Sequence, residues 1–282
     1  MTNLLSYGYS IPRFQIENKV LHPELGKRPG RRTAIFADED PVTLAFEAAS
    51  MCLAGVAETD DIDAILFAST TPVFRNRYHA SFLAGLLDLP AGILAMDLTV
   101  SPRSGTDALL LAHHLLQTNQ YQRVLLVAAD AFFPRIGEEL TLSPRDGHAG
   151  CALMLGAEAG LATIESAQSF SSFVAEEFIY KGATVQVDAR FSRAAGFKAN
   201  LDLALDKFLT NADCKPESFG AVILNAMAAQ SAAGAFKKRG FEVEKQLFKD
   251  SLRAQVGVTG VCHALLLLID SLEKNSGSVL LI

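Results

Sequence analysis

Four short runs of continuous apolar residues, each closed by polar or turn residues, punctuate the chain: Asp63-AILFAS-Thr70, Arg123-VLLVAA-Asp130, Gly220-AVILNA and Gly277-SVLLI. Runs of this length with such boundaries predict buried strands. Between them, apolar residues recur at helical spacing over Val42–Leu53, Pro102–Gln117, Leu201–Leu209 and Thr259–Leu272. In the second of these, Leu109, Leu110, Ala112, His113 and Leu116 leave no strongly polar face, which predicts a helix lying inside the protein. Strands and helices alternate, so the class is α/β.

The order of elements also repeats. In the first half, the helix at Val42–Leu53 leads to DDIDAILFAS, a short helix ending LLDLP, the helix from Pro102, and QYQRVLLVAAD. In the second, the helix at Leu201–Leu209 leads to ESFGAVILNA, a helix ending KKRGF, the helix from Thr259, and SGSVLLI. Two βαβαβ-type halves, residues 1–160 and 161–282, with the apolar helices packed between sheets would bury what the pattern requires to be buried. No Pro/Gly-rich linker divides them, so a shared core is expected.

Lys and Arg number 25 against 31 Asp and Glu, a net charge of −6, and this leaves no basic field to collect nucleic-acid phosphates. Half the residues are hydrophobic and only 20% are charged, which points to apolar surface buried against another chain. Cys52, Cys151, Cys214 and Cys262 show neither CxxC nor Cys/His ligand spacing, so no zinc site or disulfide framework is readable and a reducing compartment fits. The N-terminus lacks a basic region followed by an apolar run, and no stretch approaches the ~20 apolar residues of a membrane span. A cytoplasmic protein without metal or cofactor is expected.

Several segments, taken in order, resemble the thiolase superfamily, and within it the branch of ketoacyl-synthase III and 3-hydroxy-3-methylglutaryl-CoA synthase. Gly30-RRTAIFADEDPVTLAFEAA is similar to that branch's G-x-x-x-R…DED-x-x-T-x-A-x-E-A-A segment, with Arg31 or Arg32, Asp38, Glu39, Asp40, Thr43, Glu47, Ala48 and Ala49 in place. Asp97-LTVSPRSGTDAL resembles the approach to the nucleophile helix, Asp146-GHAGCALMLG the Ala/Gly-rich strand, and Val256-GVTGVCHALLLLIDSL the GNT segment with its helix. The resemblance implies a thiolase-like fold, two duplicated halves in a layered α-β-α-β-α sandwich.

It also implies a chemistry whose residues are missing. The family acylates a Cys at the N-terminus of the buried helix, where the helix dipole lowers the thiol pKa, and polarises the thioester carbonyl with a His and an Asn. Those three positions read Pro102, Asn225 and Val258, and the family's Glu after the first strand reads Thr70. No Cys lies between Cys52 and Cys151, so the missing nucleophile does not depend on register. The resemblance further places Ile282 inside the final strand, before the family's Gly-rich loop and its oxyanion-hole donor.

The remaining candidates have plainer readings. Ser101 and Ser104 flank the vacated position, and Ser101 reads as an N-cap with Pro102 at N1. Asp146, Gly147 and His148, with Ser143 nearby, read as a turn rather than a triad, whose members come from separate elements. His263 on an apolar helix reads as a core histidine, and His113 and His114 as packing residues. Arg31, Arg32, Arg75 and Arg77 are candidates for a pantetheine phosphate or an acidic carrier protein, or for surface ion pairs.

The expectation that follows is a non-catalytic subunit of a heterodimeric or heterotetrameric ketoacyl-synthase III-like acyltransferase or condensing enzyme of secondary-metabolite or acyl-chain biosynthesis. It would complete the dimer and shape the acyl tunnel of a catalytically intact thiolase-fold homologue, meeting acyl-CoA or acyl carrier through that partner. The strand Arg123–Asp130 is expected at the dimer interface. The alternatives are a homodimeric acyl-CoA or acyl-chain binding protein without chemistry, and an enzyme acting through other residues.

Overall fold

The computed structural model describes the whole chain except residues 22–29, 57–60, 100, 133–145, 175–176, 182, 225–228 and 275–276. In chain order the first elements are β1 (Thr2–Ser10), β2 (Phe14–Glu17), the single turn α1 (Asn18–Leu21), β3 (Arg31–Ala34), α2 (Pro41–Leu53), β4 (Ala64–Ser69), α3 (His79–Leu86) and β5 (Leu94–Thr99). They continue with α4 (Ser104–Gln117), β6 (Arg123–Asp130), β7 (Ala149–Gly156), β8 (Ala162–Ile164), β9 (Glu177–Tyr180) and β10 (Ala183–Gln186). A helix then opens as α5 (Ala189–Phe191), runs as a π-helix over Ser192–Lys198 and continues as α6 (Ala199–Asn211). The chain closes with β11 (Ala221–Ile223), α7 (Ala229–Lys238), the single turns α8 (Val243–Gln246) and α9 (Arg253–Val256), α10 (His263–Glu273) and β12 (Val279–Leu281). Two compact units result, Met1–Glu165 with Lys249–Asp270, and Ser166–Phe248 with Ser271–Ile282. Residues 249–270, read from the sequence as part of the second half, therefore lie with the first unit.

The first unit is built on a six-stranded sheet of order β5-β4-β6-β7-β1-β8. β5, β4 and β6 are parallel, while β6 and β7, β7 and β1, and β1 and β8 are antiparallel. Every residue of β4 and β7 is buried, as the unbroken apolar runs require of strands covered on both faces. α2 starts where Asp40 accepts from the Thr43 N–H at 2.8 Å while the Thr43 hydroxyl accepts from the Asp40 N–H at 2.7 Å, with Pro41 at the first helical position. It lies against β1, β7 and β6 at backbone contact. A Cβ on Gly8 would stand 2.2 Å from the Ala48 carbonyl oxygen, and one on Gly150 2.2 Å from that of Leu44.

The second unit repeats one feature of the first. β11 and β12 pair in parallel, Val222 opposite Leu280, as β4 and β6 do with Leu66 opposite Leu126. Its core is Leu201, Leu205, Val222, Phe236, Phe241 and Leu280. Arg239, buried at its edge, uses its guanidinium as a clamp: Nε and Nη2 donate to the two oxygens of Asp206 at 2.7 and 2.8 Å, and Nη1 donates to Asp202 at 2.6 Å.

Three expectations need correction. β6 is flanked by β4 and β7 and buried from Val124 to Asp130, so Arg123–Asp130 has no free edge to offer another chain. The open edge on that side of the sheet belongs to β5, beyond β4, a strand the hydrophobic pattern does not announce because Asp97 interrupts it. α4 is not apolar-buried all round: Ser104, Gly105, Ala108, Ala112 and Leu116 form one buried stripe, while Leu109, Leu110, Leu111 and Leu115 are half-buried. The helix also begins at Ser104 rather than with Ser101 as cap. Arg103 precedes it without a side-chain cap, and the Ser101 hydroxyl accepts from the Arg103 N–H at 3.2 Å in the turn before it.

Candidate functional site

β4, β5 and β6 run in the same direction, so Ser69, Thr99 and Asp130 end at one side of the sheet, where α4 and the segment 256–263 also begin. This is where the resemblance puts the chemistry. Pro102 is exposed in the turn before α4, and Ser104 is buried at the first turn. Asn225 and Ser143 lie outside the described residues. Val258 bridges to Asp146, and its carbonyl accepts from the Gly147 N–H at 2.8 Å. Its side chain neither donates nor accepts a hydrogen bond.

The polar groups that surround these positions are already engaged. Asp130 is fully buried at the end of β6. Its Oδ1 accepts from the Ser69 hydroxyl at 3.0 Å, the Thr70 N–H at 2.7 Å, and both the N–H and hydroxyl of Thr71 at 3.1 Å. Its Oδ2 accepts from the Thr70 hydroxyl and the Val261 N–H, each at 2.9 Å. Thr70, where the resemblance puts the family's Glu, thus gives both its donors to Asp130. Gly260 makes the approach possible: it holds φ at 57, and a Cβ there would lie 2.0 Å from Asp130 Oδ2. Gly105 does the same for α4, where a Cβ would stand 2.2 Å from the Val261 carbonyl oxygen.

His263 is completely buried. Because a carboxylate only accepts and a backbone N–H only donates, its Nε2–H donates to Asp250 at 2.9 Å and its Nδ1 accepts from the Thr259 N–H at 3.4 Å. The Thr259 hydroxyl stands 3.3 Å from the same Nδ1. Burial raises the Asp250 carboxyl, but the hydrogen bond from His263 and the N–H and charge of Arg253 outweigh it and hold the group below the usual range. Both ring nitrogens are therefore occupied. His79, which sequence reasoning passed over, is held the same way: Nδ1–H donates to Asp97 at 2.7 Å, and Nε2 accepts from the Val73 and Phe74 N–H groups at 3.0 and 2.9 Å. No spacing in the sequence marks this pair, which the fold brings together across α3 and β5.

His148 is buried with Nδ1 accepting from the Phe132 N–H at 3.0 Å. Burial, reinforced by the nearby Arg32 charge, lowers its pKa to about 4. A histidine depressed in the folded state contributes stability that is present above the unfolded value near 6.5 and lost as pH falls toward 4. Between pH 7 and pH 5 the unfolding free energy is expected to drop by roughly 2 kcal/mol on this account. Urea titrations of the parent and of His148→Asn, which keeps an acceptor for Phe132 but does not titrate, check it: the variant should lack this portion of the slope, and identical slopes would reject it.

The four arginines separate. Arg32 is buried, which lowers its pKa against the opposing pull of Asp146, so it is not a surface phosphate contact. Arg31 is exposed, 4.0 Å from Glu17, and lines a cleft of about 470 Å³ with Gln15, Glu17, Lys19, Gly30 and Gln255. Arg75 and Arg77 are exposed on the loop after β4. His113 is half-buried, with its pKa lowered by burial and then by the adjacent His114. The three buried thiols are not poised to act as nucleophiles. Cys52, Cys151 and Cys262 are buried and burial raises all three, Cys52 to about 12, far from thiolate at neutral pH. Among the described residues no group of His, Cys, Asp and Glu is placed to hold a metal ion.

No family model matches the chain. Its fold is that of the thiolase-type synthases. 3-Oxoacyl-[acyl-carrier-protein] synthase III from Aquifex aeolicus VF5 superposes with a TM-score of 0.79 at 17% identity, covering 98% of this chain and 92% of that one. The HMG synthase of the curacin biosynthetic pathway, solved in complex with an acetyl donor-ACP, superposes at 0.78 with 14% identity, covering 96% and 73%. By sequence the chain is similar to hydroxymethylglutaryl-CoA synthase of Methanobrevibacter smithii, 23% identical over 270 residues, 92% of this chain and 77% of that protein. Its match to the enzyme of Pyrobaculum neutrophilum is 26% over 179 residues and spans about half the length of that relative, 50%. Relatives and structural neighbours both fall in the ketoacyl-synthase III and HMG-CoA synthase-like branch of the thiolase superfamily.

Proposed function

We propose that this chain is a non-catalytic subunit of a heterodimeric, ketoacyl-synthase III-like acyltransferase or condensing enzyme, paired with a thiolase-fold homologue that carries an intact Cys-His-Asn set. The observation that carries the reading is the state of the site: Pro102 stands before α4, Val258 stands where a hydrogen-bonding side chain is needed, and the neighbouring Asp130 and His263 have no unengaged acceptor or donor for a substrate. Acylation needs a nucleophile beside a base and donors facing the developing oxyanion. Incubation with acetyl-CoA followed by intact-mass measurement should show no adduct. A stoichiometric acyl group on Ser101 or Ser104 would falsify the proposal.

The partner contact falls on β5. Leu94 N–H bonds back to the Asp63 carbonyl, so in the alternating parallel ladder Ala95, Asp97 and Thr99 turn their N–H and C=O groups outward. An open edge of this kind is a template for another strand. Beside it Tyr78, at the N-cap of α3, and Phe82 and Leu86, four and eight residues on, are exposed, as is Met96 on β5 itself. Ala95→Pro removes an outward donor and leaves the bonds to β4 in place. Co-expressed with an intact relative encoded beside it, the parent chain should co-purify as a complex and the proline variant should emerge folded but alone; a complex indifferent to the substitution places the contact elsewhere. The second reading, an acyl-CoA or acyl-chain binding homodimer without chemistry, draws on the cleft at Arg31 and predicts saturable acyl-CoA binding by the isolated chain.

A further inference from the structure

β9 and β10 form an antiparallel hairpin with Val185 opposite Phe178 and Ala183 opposite Tyr180. Residues two apart on a strand share a face, and directly opposed residues share it too, so Phe178, Tyr180 and Val185 stand on one side. All three are open to solvent, at 45%, 58% and 36%. At the turn Lys181 places its ammonium 5.2 Å from the centre of the Tyr180 ring, keeping the charge beside the apolar face. Flanking residues extend the pattern: Phe173 and Phe191 are exposed, and so are Arg190, Arg193 and Lys198 on the helical segment that follows. Across the hairpin and the helical segment, residues 177–198, the carboxylates are Glu177 and Asp188, and Asp188 accepts from the Arg190 and Phe191 N–H groups at 2.9 and 3.0 Å. Four cations thus stand against two carboxylates in a chain of net charge −6.

The size of the apolar face decides between occupants. With about 150–250 Å² per aromatic side chain, the three hairpin residues leave roughly 300 Å² open, and Phe173 and Phe191 bring the total to about 600 Å², still short of the ~800 Å² each partner gives to a stable protein interface. A small aromatic tip with cations beside it matches shallow insertion at the headgroup level of an anionic bilayer, where tyrosine sits at the polar boundary and basic residues meet lipid phosphates. We propose that the β9–β10 hairpin and the basic helix after it make a reversible contact with an anionic lipid surface. The contact is peripheral: no helix among the described residues is long and apolar enough to cross a membrane.

Co-sedimentation of the full chain with phosphatidylcholine vesicles, with and without a phosphatidylserine fraction, tests this. Partitioning onto the phosphatidylserine vesicles should be roughly tenfold stronger or more, should weaken with salt, and should be lost in Phe178→Ser/Tyr180→Ser and, separately, in Arg190→Glu/Arg193→Glu. The substituted side chains are exposed, so the melting temperature should not move. Equal partitioning onto both vesicles, no binding at millimolar lipid, or binding indifferent to the Phe178/Tyr180 pair would overturn the proposal. Self-association in the absence of lipid that disappears with the same pair would overturn it as well and assign the face to a protein contact.

Discussion

Asp130→Ala should destabilise the first unit by about 3–5 kcal/mol, the sum expected when two buried backbone donors are left unpaired at about 1–3 kcal/mol each and buried hydroxyls lose their acceptor. The substitution leaves the backbone N–H groups of Thr70 and Val261 without an acceptor and the Thr71 N–H with the Ser69 hydroxyl alone at 3.0 Å, and three hydroxyls, on Ser69, Thr70 and Thr71, lose the carboxylate. Water cannot readily replace a carboxylate that touches four residues from two separate segments, because Gly260 already sits at backbone contact with it. Chemical denaturation read by far-UV circular dichroism measures the loss. The loop 70–78 should also lose protection in hydrogen exchange before the sheet does, because the carboxylate anchors its start. A cost below about 1 kcal/mol would mean that the released donors find other acceptors.

Pro102→Cys should restore no acyl transfer, although it returns the nucleophile. A thiol at that exposed turn, beside the Arg103 charge, should alkylate with iodoacetamide, since access and a nearby cation both favour thiolate chemistry. Thioester attack requires more. The oxyanion that develops would find no donor in the Val258 side chain, and each such donor is worth roughly 2.7–4 kcal/mol, or two to three orders of magnitude in rate. The imidazole of His263, at the start of α10, is buried with its Nε2 proton donated to Asp250 and its Nδ1 facing Thr259, so it is not available as a base. The expected result is a modifiable cysteine with acetyl-CoA turnover at background. Turnover above background by the single variant would show that carbonyl-polarising groups reach the site from residues other than those at the family's positions.

Legibility along the chain followed burial. AILFAS and RVLLVAAD were readable as strands because both faces of β4 and β6 are covered, which demands unbroken apolar runs. β1 and β5 were not: TNLLSYGYS carries polar residues that are buried because the fold supplies their hydrogen-bond partners, Asn3 donating to the Glu158 carbonyl and Ser6 to that of Cys52, and the half-buried LAMDLT is interrupted by Asp97, whose carboxylate caps α3 through the His79 and Ala80 N–H groups. The start of α4 was misplaced for a local reason. Ser-Pro is the usual signature of a cap and first turn, yet here Ser101 closes a tighter turn and the helix begins at Ser104, where Gly105 allows contact with the Val261 backbone.

What the amino-acid sequence determined by itself was the class of fold, carried by the alternation of apolar runs and helical spacing, and the plain fact that no Cys lies between Cys52 and Cys151. The tertiary structure alone decided which groups are free to act. That His263 and His79 have both nitrogens occupied, that Asp130 is the anchor for Thr70, Thr71 and Val261, that Arg32 is buried while Arg31 faces a cleft, and that β5 rather than β6 offers an open edge all depend on contacts between residues up to 131 positions apart. Hydrogen bonding and burial are properties of pairs and surroundings, and a pattern along one chain records only one member of each pair.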